Sequence, residues 1–470
     1  MDPVDVVLAD YNFPFKLHNY QREVVNQTAD MQRSAHFLSV GVGKTATSTA
    51  VALYKGLKGD ADHILILMPP ILLRQWQSWL TSLGLSVTVY AASPAKRLEL
   101  DMSADAILMS YNIFKNDFKR LTALYADTKM VVIVDECSAV RKPSTLNFKS
   151  VRDFTNLPNK HVVLLSATPV NRVHHCYGII KIKSPEIYRS WTQFSAVHIT
   201  STDVFGEPNG FANLDLLARN LMRNAVRVDA EDVLDELPEI VYQPVVYDLD
   251  PAHKRLYDTL VEQKLVELDD KTLLDGTIIQ RLYNELQRVI LRPAEFGGEK
   301  IRPVGFDLIE NTAQEAGMLS GVDTKLIIFV NFQTSNQATF EHTLAIKGLN
   351  PIQAYGVTGA QQNLKNVERF LTDPEVNVLV ANPSSIGVGL NLQSVSSTIL
   401  FLELPVSSDL FIQAIGRVYR QGQKRACLIK FGQALGTLQI DIGRRVMRRE
   451  DELQNVFKSR QTLRAALTGR

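Results

Sequence analysis

Two short stretches of this chain have residue types and spacing suited to phosphate chemistry. The first is Ser39-Val40-Gly41-Val42-Gly43-Lys44-Thr45. It follows the apolar run Ala35–Leu38, which reads as a strand, and precedes Ala46–Leu53, which reads as a helix. A strand, a Gly-rich turn and a Lys-Thr pair opening a helix form an arrangement that cradles nucleotide phosphates. Gly41 and Gly43 let backbone N–H groups turn inward, and the helix N-terminus adds its dipole and unpaired donors. Lys44 would reach the β- and γ-phosphates, and the Thr45 hydroxyl would ligate Mg²⁺. The usual eight-residue pattern begins with a small residue, but Leu38 stands there. A Gly-rich turn that binds nothing is therefore the alternative. The second stretch is Asp135-Glu136, which closes the apolar run Val131–Val134. A carboxylate at a strand end can hold Mg²⁺ opposite Thr45, and the next can orient or deprotonate an attacking water. An acidic strand-to-loop pair is common, but with the first stretch upstream the catalytic reading is favoured.

Other stretches gain meaning beside these two. Gln21 lies on an amphipathic helix just upstream and could read adenine through a bidentate amide contact; a surface glutamine is the alternative. Ser166-Ala167-Thr168-Pro169 closes another apolar run, and its hydroxyls suit a coupling element, against a simple turn before Pro169. Arg417 and Arg420, three apart in a helical reading, would share a face. Two guanidinium groups on one face suit a γ-phosphate presented by another domain, against a solvated basic face. His174-His175-Cys176 has no second cluster to complete a tetrahedral site, so packing is the better account.

These groups need a scaffold, and the chain supplies two. Its 470 residues exceed one compact core, which predicts two domains. A net charge of +1 gives no global basic field, so any nucleic-acid surface must be local. Three distant cysteines without a CxxC pair point to a reducing compartment and away from a zinc module. The apolar runs are strand-length, so neither a membrane helix nor a secretory signal is expected. Runs at 63–67, 106–109, 130–134 and 161–165 are nearly all apolar and alternate with helical patterns, which predicts a doubly wound parallel sheet. Residues 200–210 read as loop, Leu214–Met222 as helix, and a boundary falls near 237–242. A helical pair over 250–291 carries Leu256, Leu260, Leu265, Leu268, Leu282 and Leu286 on its apolar positions, and 297–305 is loop. Runs at 326–330, 376–381, 398–402 and 427–431 predict a second α/β sheet without a phosphate loop. The fold class is thus α/β, two doubly wound parallel-sheet lobes with small helical insertions, over 1–238 and 239–470. Arg444, Arg445, Arg448 and Arg449 recur at helical spacing, as a solvated helix or as a phosphate contact.

Taken in order, these motifs resemble the superfamily-two helicases and, within them, the Swi/Snf-type DNA translocases. The resemblance runs from Tyr20-Gln21 through Gly41–Thr45, Pro69–Trp76, Ser110-Tyr111, Asp135-Glu136, Ser166–Pro169, Phe329–Phe332 and Gly387–Leu392 to Gln413–Gln423. The last, Gln-x-x-Gly-Arg-x-x-Arg-x-Gly-Gln, is the most specific. Met222-Arg223, Asp232–Leu234 and Leu237-Pro238 look like the segment before the second lobe of that branch. The resemblance implies an ATPase with ATP and Mg²⁺ held between two RecA-like lobes. Gln21, Gly41, Gly43, Lys44, Thr45 and Gln413 would bind nucleotide, Thr45 and Asp135 the metal, and Glu136 would be the base. Arg417 and Arg420 would be arginine fingers. Pro69, Arg74, Ser110, Tyr111 and Asn391 would face the DNA backbone. The chain departs from the family at Ser138, where its Asp-Glu-x-His box has His, and at Tyr419, where His usually precedes the second arginine.

The implied function is a compact motor of phage or bacterial type, cytoplasmic and monomeric, acting on duplex or branched DNA without sequence preference. Branch migration or fork remodelling leads; replication or recombination proteins are candidate partners. Strand separation on DNA or RNA, and an ATP-gated scaffold with little turnover, are the alternatives. Trp76 and Trp79 follow an apolar run at helical spacing and are expected to fill the core rather than stack on bases.

Overall fold

Apolar runs with helices on both faces become parallel strands, and the computed structural model shows this twice. It describes residues 2–202, 206–233, 237–269, 276–356, 359–385, 391–405 and 408–444. These fall into two compact units divided between Val233 and Leu237. The strands of the first unit are β1 (Arg33–Leu38), β2 (His63–Met68), β3 (Val87–Val89), β4 (Ala106–Ser110), β5 (Met130–Asp135), β6 (Lys160–Leu165), β7 (Ile199–Thr202), β8 (Pro208–Phe211) and β9 (Ala225–Val228). Seven of them form one sheet in the order β3-β4-β2-β5-β6-β1-β9. All its pairings are parallel. Every carboxyl end therefore lies along one edge, where ligands of such sheets bind. That edge receives residues 39–45 after β1, Pro69 after β2, Tyr111 after β4, Glu136 after β5 and Ser166 after β6.

The second unit holds β10 (Ile240–Tyr247), β11 (Lys325–Phe329), β12 (Pro351–Ala354), β13 (Val378–Ala381), β14 (Ser396–Phe401) and β15 (Cys427–Ala434). They form another parallel sheet, ordered β10-β15-β14-β11-β13-β12. The helices Pro251–Asp269 and Gly276–Leu291 lie between β10 and β11 in sequence. Leu256 and Leu260 pack there with Tyr257, Leu286, Val289 and Ile290. The side chains of Leu265, Leu268 and Leu282 lie outside the described residues, as do Arg445, Arg448 and Arg449.

Six strands were not expected. β3, β9 and β12 span only three or four residues. β10 pairs only with β15 and leaves its middle exposed, so it lacks the apolar run of a central strand. It also carries Pro244, which an edge strand tolerates because its missing N–H is needed on one side only. The stretch 200–210 is not plain loop: β7 and β8 pair antiparallel, with Ile199 opposite Phe211 and both packed on the core.

A buried acid organises the carboxyl edge of the second sheet. Glu403 is 1% exposed, just past β14. It accepts the backbone N–H of Asn331 at 2.7 Å and of Phe332 at 3.3 Å, and the Ser335 hydroxyl at 2.6 Å. It thereby caps the helix Gln333–Ala345, whose N-cap residue Phe332 has no capping side chain. Burial pushes its carboxyl up from 4.5 to about 7, partly offset by these donors. A native pKa above the unfolded one means that the folded state binds more protons between those values. Stability from this group is therefore lost as pH rises from about 4.5 to about 7. At about 1.4 kcal/mol per pH unit, the loss is at most roughly 3.5 kcal/mol. Glu403→Gln can keep its oxygen on the two N–H groups and turn its amide to Ser335. Thermal melts should show this variant gaining stability over the parent at pH 8 and losing that advantage at pH 5.

Candidate active site

The residues after β1 turn on two glycines with positive φ, Gly41 at 87° and Gly43 at 93°. Gly43 is the N-cap of the helix Lys44–Leu57 and provides no side-chain cap. The first N–H groups of that helix are thus left for a ligand, as an anion site requires. Lys44 Nζ donates to the carbonyls of Leu38 at 3.0 Å and Ser39 at 3.4 Å, so the amine rests against its own loop. Leu38 is fully buried as the last residue of β1, which explains why a large residue is tolerated there.

Gln21 is 4% exposed and is not a surface residue. Its Nε2 donates to the Val42 carbonyl at 3.2 Å, and its Oε1 accepts the His18 N–H at 2.9 Å. A Cβ on Gly43 would fall 2.2 Å from that Nε2, so a side chain there would push the Gln21 amide off the Val42 carbonyl. The amide braces the phosphate loop, and a bidentate contact with adenine would have to replace both bonds.

Asp135 and Glu136 are 6% and 7% exposed at the end of β5. Glu136 has φ 53° and ψ 57°, a left-handed conformation that costs a non-glycine residue roughly 1–3 kcal/mol. This kink turns the chain into the short helix Cys137–Val140. The Glu136 N–H donates to Asp135 Oδ1 at 2.9 Å. Burial raises the Asp135 pKa, and the Glu136 charge adds to the rise; the Trp76 indole and the Lys44 charge oppose it. Lys44 and Asp135 thus share one electrostatic site. Glu136 Oε2 accepts the Ser166 hydroxyl at 3.3 Å, and Ser166 Oγ accepts the Thr168 N–H at 3.1 Å. The segment after β6 is therefore wired to the carboxylate expected to act as base. Ser138, at the position of the family histidine, places its hydroxyl 3.5 Å from the Glu136 carbonyl.

Other expectations change. Ser110 is 4% exposed and Tyr111 6%. Ser110 Oγ caps the helix Tyr111–Asn116, and the Tyr111 hydroxyl donates to the Asp135 carbonyl at 2.6 Å. In this structure both side chains are buried and hydrogen-bonded inside the unit. Arg74 is exposed, Pro69 half-buried, and Asn391 exposed; Gly387–Leu390 lie outside the described residues. His174 and His175 are buried rings that touch each other edge to face, with Glu207 3.7 Å from His174.

In the second unit, Gln413 lies on the helix Ser408–Ile415, but Arg417 and Arg420 do not. Gly416 ends the helix, and the chain continues in turns through i to i+3 bonds from Arg417 and Val418. Val418 is fully buried, which pins those turns to the core. The two arginines therefore do not share a helix face. Arg417 is 4% exposed. Arg420 is half-buried, and its Nε has no hydrogen-bond partner among the described residues. Gln423 proves structural: its amide bonds the Ser396 and Val418 carbonyls and accepts the Lys424 and Arg425 N–H groups.

Both parallel sheets, and a phosphate-type loop facing an acidic pair, define an α/β ATPase core. Residues 20–294 match the SNF2-related domain, and residues 309–422 match the helicase conserved C-terminal domain. The chain belongs to the SNF2-related family of helicases. It is 24% identical over 431 residues to the uncharacterized ATP-dependent helicase YqhH of Bacillus subtilis, covering 86% of this chain and 73% of that protein. It is 23% identical over 425 residues to an uncharacterized ATP-dependent helicase of Mycoplasma pneumoniae, covering 87% of this chain but only 39% of that protein. The Sulfolobus solfataricus SWI2/SNF2 ATPase core in complex with dsDNA aligns over 93% of this chain and 91% of its own, with 21% identity and a TM-score of 0.45. Among the described residues no helix is long and apolar enough to cross a membrane.

Proposed function

We propose that this chain is an ATP-driven motor on duplex or branched DNA that moves along the backbone without reading sequence. The observation that supports this most is the Lys44, Asp135, Glu136 and Ser166 constellation at the carboxyl edge of one sheet. The uncapped helix start behind Gly43 fits a phosphate, and Lys44 can leave its loop carbonyls for β- and γ-oxygens. Thr45 and Asp135 fit a hard cation such as Mg²⁺ by donor type, which when bound would neutralise developing phosphate charge. Glu136 would accept the proton of the attacking water, and its bond with Ser166 would pass the change to the segment after β6. Arg420 would stabilise the γ-phosphate, with Arg417 supporting the turn that carries it. Arg74, Pro69 and Asn391 would touch backbone phosphates, contacts that carry no sequence information.

The test is ATP hydrolysis with no nucleic acid, single-stranded DNA, linear duplex, a four-way junction and RNA side by side. Duplex or junction should stimulate most. Single-stranded DNA or RNA as the best activator would point to a strand-separating helicase instead. No stimulation by any of them would leave a scaffold.

A further inference from the structure

We propose that Trp76 is a positioning residue for Asp135: its indole N–H fixes the rotation of that carboxylate for the metal. The inference rests on the nucleotide reading above. Trp76 is 1% exposed and lies 59 residues before Asp135 in sequence, yet its Nε1 donates to Asp135 Oδ2 at 2.8 Å. The other oxygen, Oδ1, takes the Glu136 N–H at 2.9 Å. One donor on each oxygen leaves the carboxylate a single in-plane setting, and both donors are fixed in turn. The Glu136 N–H is set by the peptide plane at the end of β5, and the indole is set by the helix Leu73–Ser82.

That helix makes a second contact of the same kind. Trp79 Nε1 donates to Thr49 Oγ1 at 3.0 Å, and Thr49 Oγ1 donates to the Thr45 carbonyl at 2.8 Å. Two indoles three residues apart lie on one helix face. One reaches the strand-end carboxylate and the other the helix that begins with Lys44 and Thr45. The helix thus spans both halves of the metal site. A buried indole needs some acceptor, so satisfying Trp76 alone is the competing account. It predicts a folding defect with no metal-specific effect.

Equilibrium binding of a fluorescent ADP analogue separates the two, measured with Mg²⁺ and with EDTA on the parent and on Trp76→Phe, with thermal melting alongside. The phenyl ring keeps most of the bulk and removes the N–H. Affinity in EDTA should match the parent, while the gain in affinity on adding Mg²⁺ should fall by roughly tenfold, the order of one hydrogen bond to a charged group. A parent-like Mg²⁺ gain, or an equal loss in both conditions, would overturn the proposal.

Should Trp76→Phe fail to fold, the parent itself decides. The chain has three tryptophans, so fluorine NMR of fluorotryptophan-labelled protein gives three signals. Trp79→Phe and Trp191→Phe identify the Trp76 signal by elimination. It should shift when Mg²⁺ is added to ADP-saturated protein, and an unmoved signal would overturn the assignment. A parent that binds no nucleotide in either condition would overturn the nucleotide reading and this inference with it.

Discussion

Glu136→Gln is expected to stop ATP turnover while leaving nucleotide binding intact. The glutamine is nearly isosteric, and its oxygen can still accept the Ser166 hydroxyl that Glu136 Oε2 accepts. The left-handed backbone at Glu136 does not depend on the charge. What is lost is the ability to take a proton from water. General-base catalysis contributes typically about 10²–10⁴-fold, so phosphate release should fall by at least about a hundredfold. A fluorescent nucleotide should bind as tightly as before. Turnover near the parent rate would remove Glu136 from the role of base. Lys44→Ala should differ by weakening binding as well, because Lys44 is the one cation that the loop itself holds over its mouth.

The second large effect is expected at Arg420. An arginine finger is worth about 10³–10⁵ in kcat in related phosphoryl-transfer sites. Arg420→Ala should lower kcat by a factor in that range, with nucleotide still bound by the first unit. Its Nε is buried without a partner among the described residues, and burial lowers its pKa. A desolvated donor of that kind gains most from an anion. Arg420→Lys should rescue little, because an ammonium cannot reproduce the planar fork. Arg417→Ala is the contrasting variant. Arg417 is 4% exposed, and its removal should lower the melting temperature of the second unit as well as activity. Unchanged kcat in Arg420→Ala would return the residue to an ordinary half-buried arginine.

What could be read from the sequence follows from the range of each interaction. Gly41-Val42-Gly43-Lys44-Thr45 is legible because the strand, turn and helix start that make it a phosphate site are contiguous. The central strands are legible because a strand covered on both faces must be apolar along its whole length. Asp135-Glu136 is legible for the same reason, as the first polar pair after such a run. The αL conformation of Glu136 is not, since glutamate carries no sign of it. Trp76 was expected to fill the core, and it does. Its bond to Asp135 depends on how the helix after β2 packs onto the sheet, which no local pattern encodes. The arginine turn was legible in part. Gly416 costs a helix interior about 1 kcal/mol relative to alanine, and it ends this one, so the assumed helix face for Arg417 and Arg420 does not exist. Ser110 and Tyr111 were expected as DNA contacts by the family resemblance, from their place in the motif order. A capping hydroxyl and a buried phenol use the same atoms internally.

The central claim is movement along duplex DNA powered by hydrolysis, and displacement of a third strand from a triplex tests it most directly. The third strand is not part of the duplex, so releasing it requires travel rather than strand separation. The parent with ATP and Mg²⁺ should release the strand, whereas the parent without ATP and Glu136→Gln with ATP should not. Release without ATP, equal release by Glu136→Gln, or duplex-stimulated hydrolysis by the parent with the triplex left intact would contradict it.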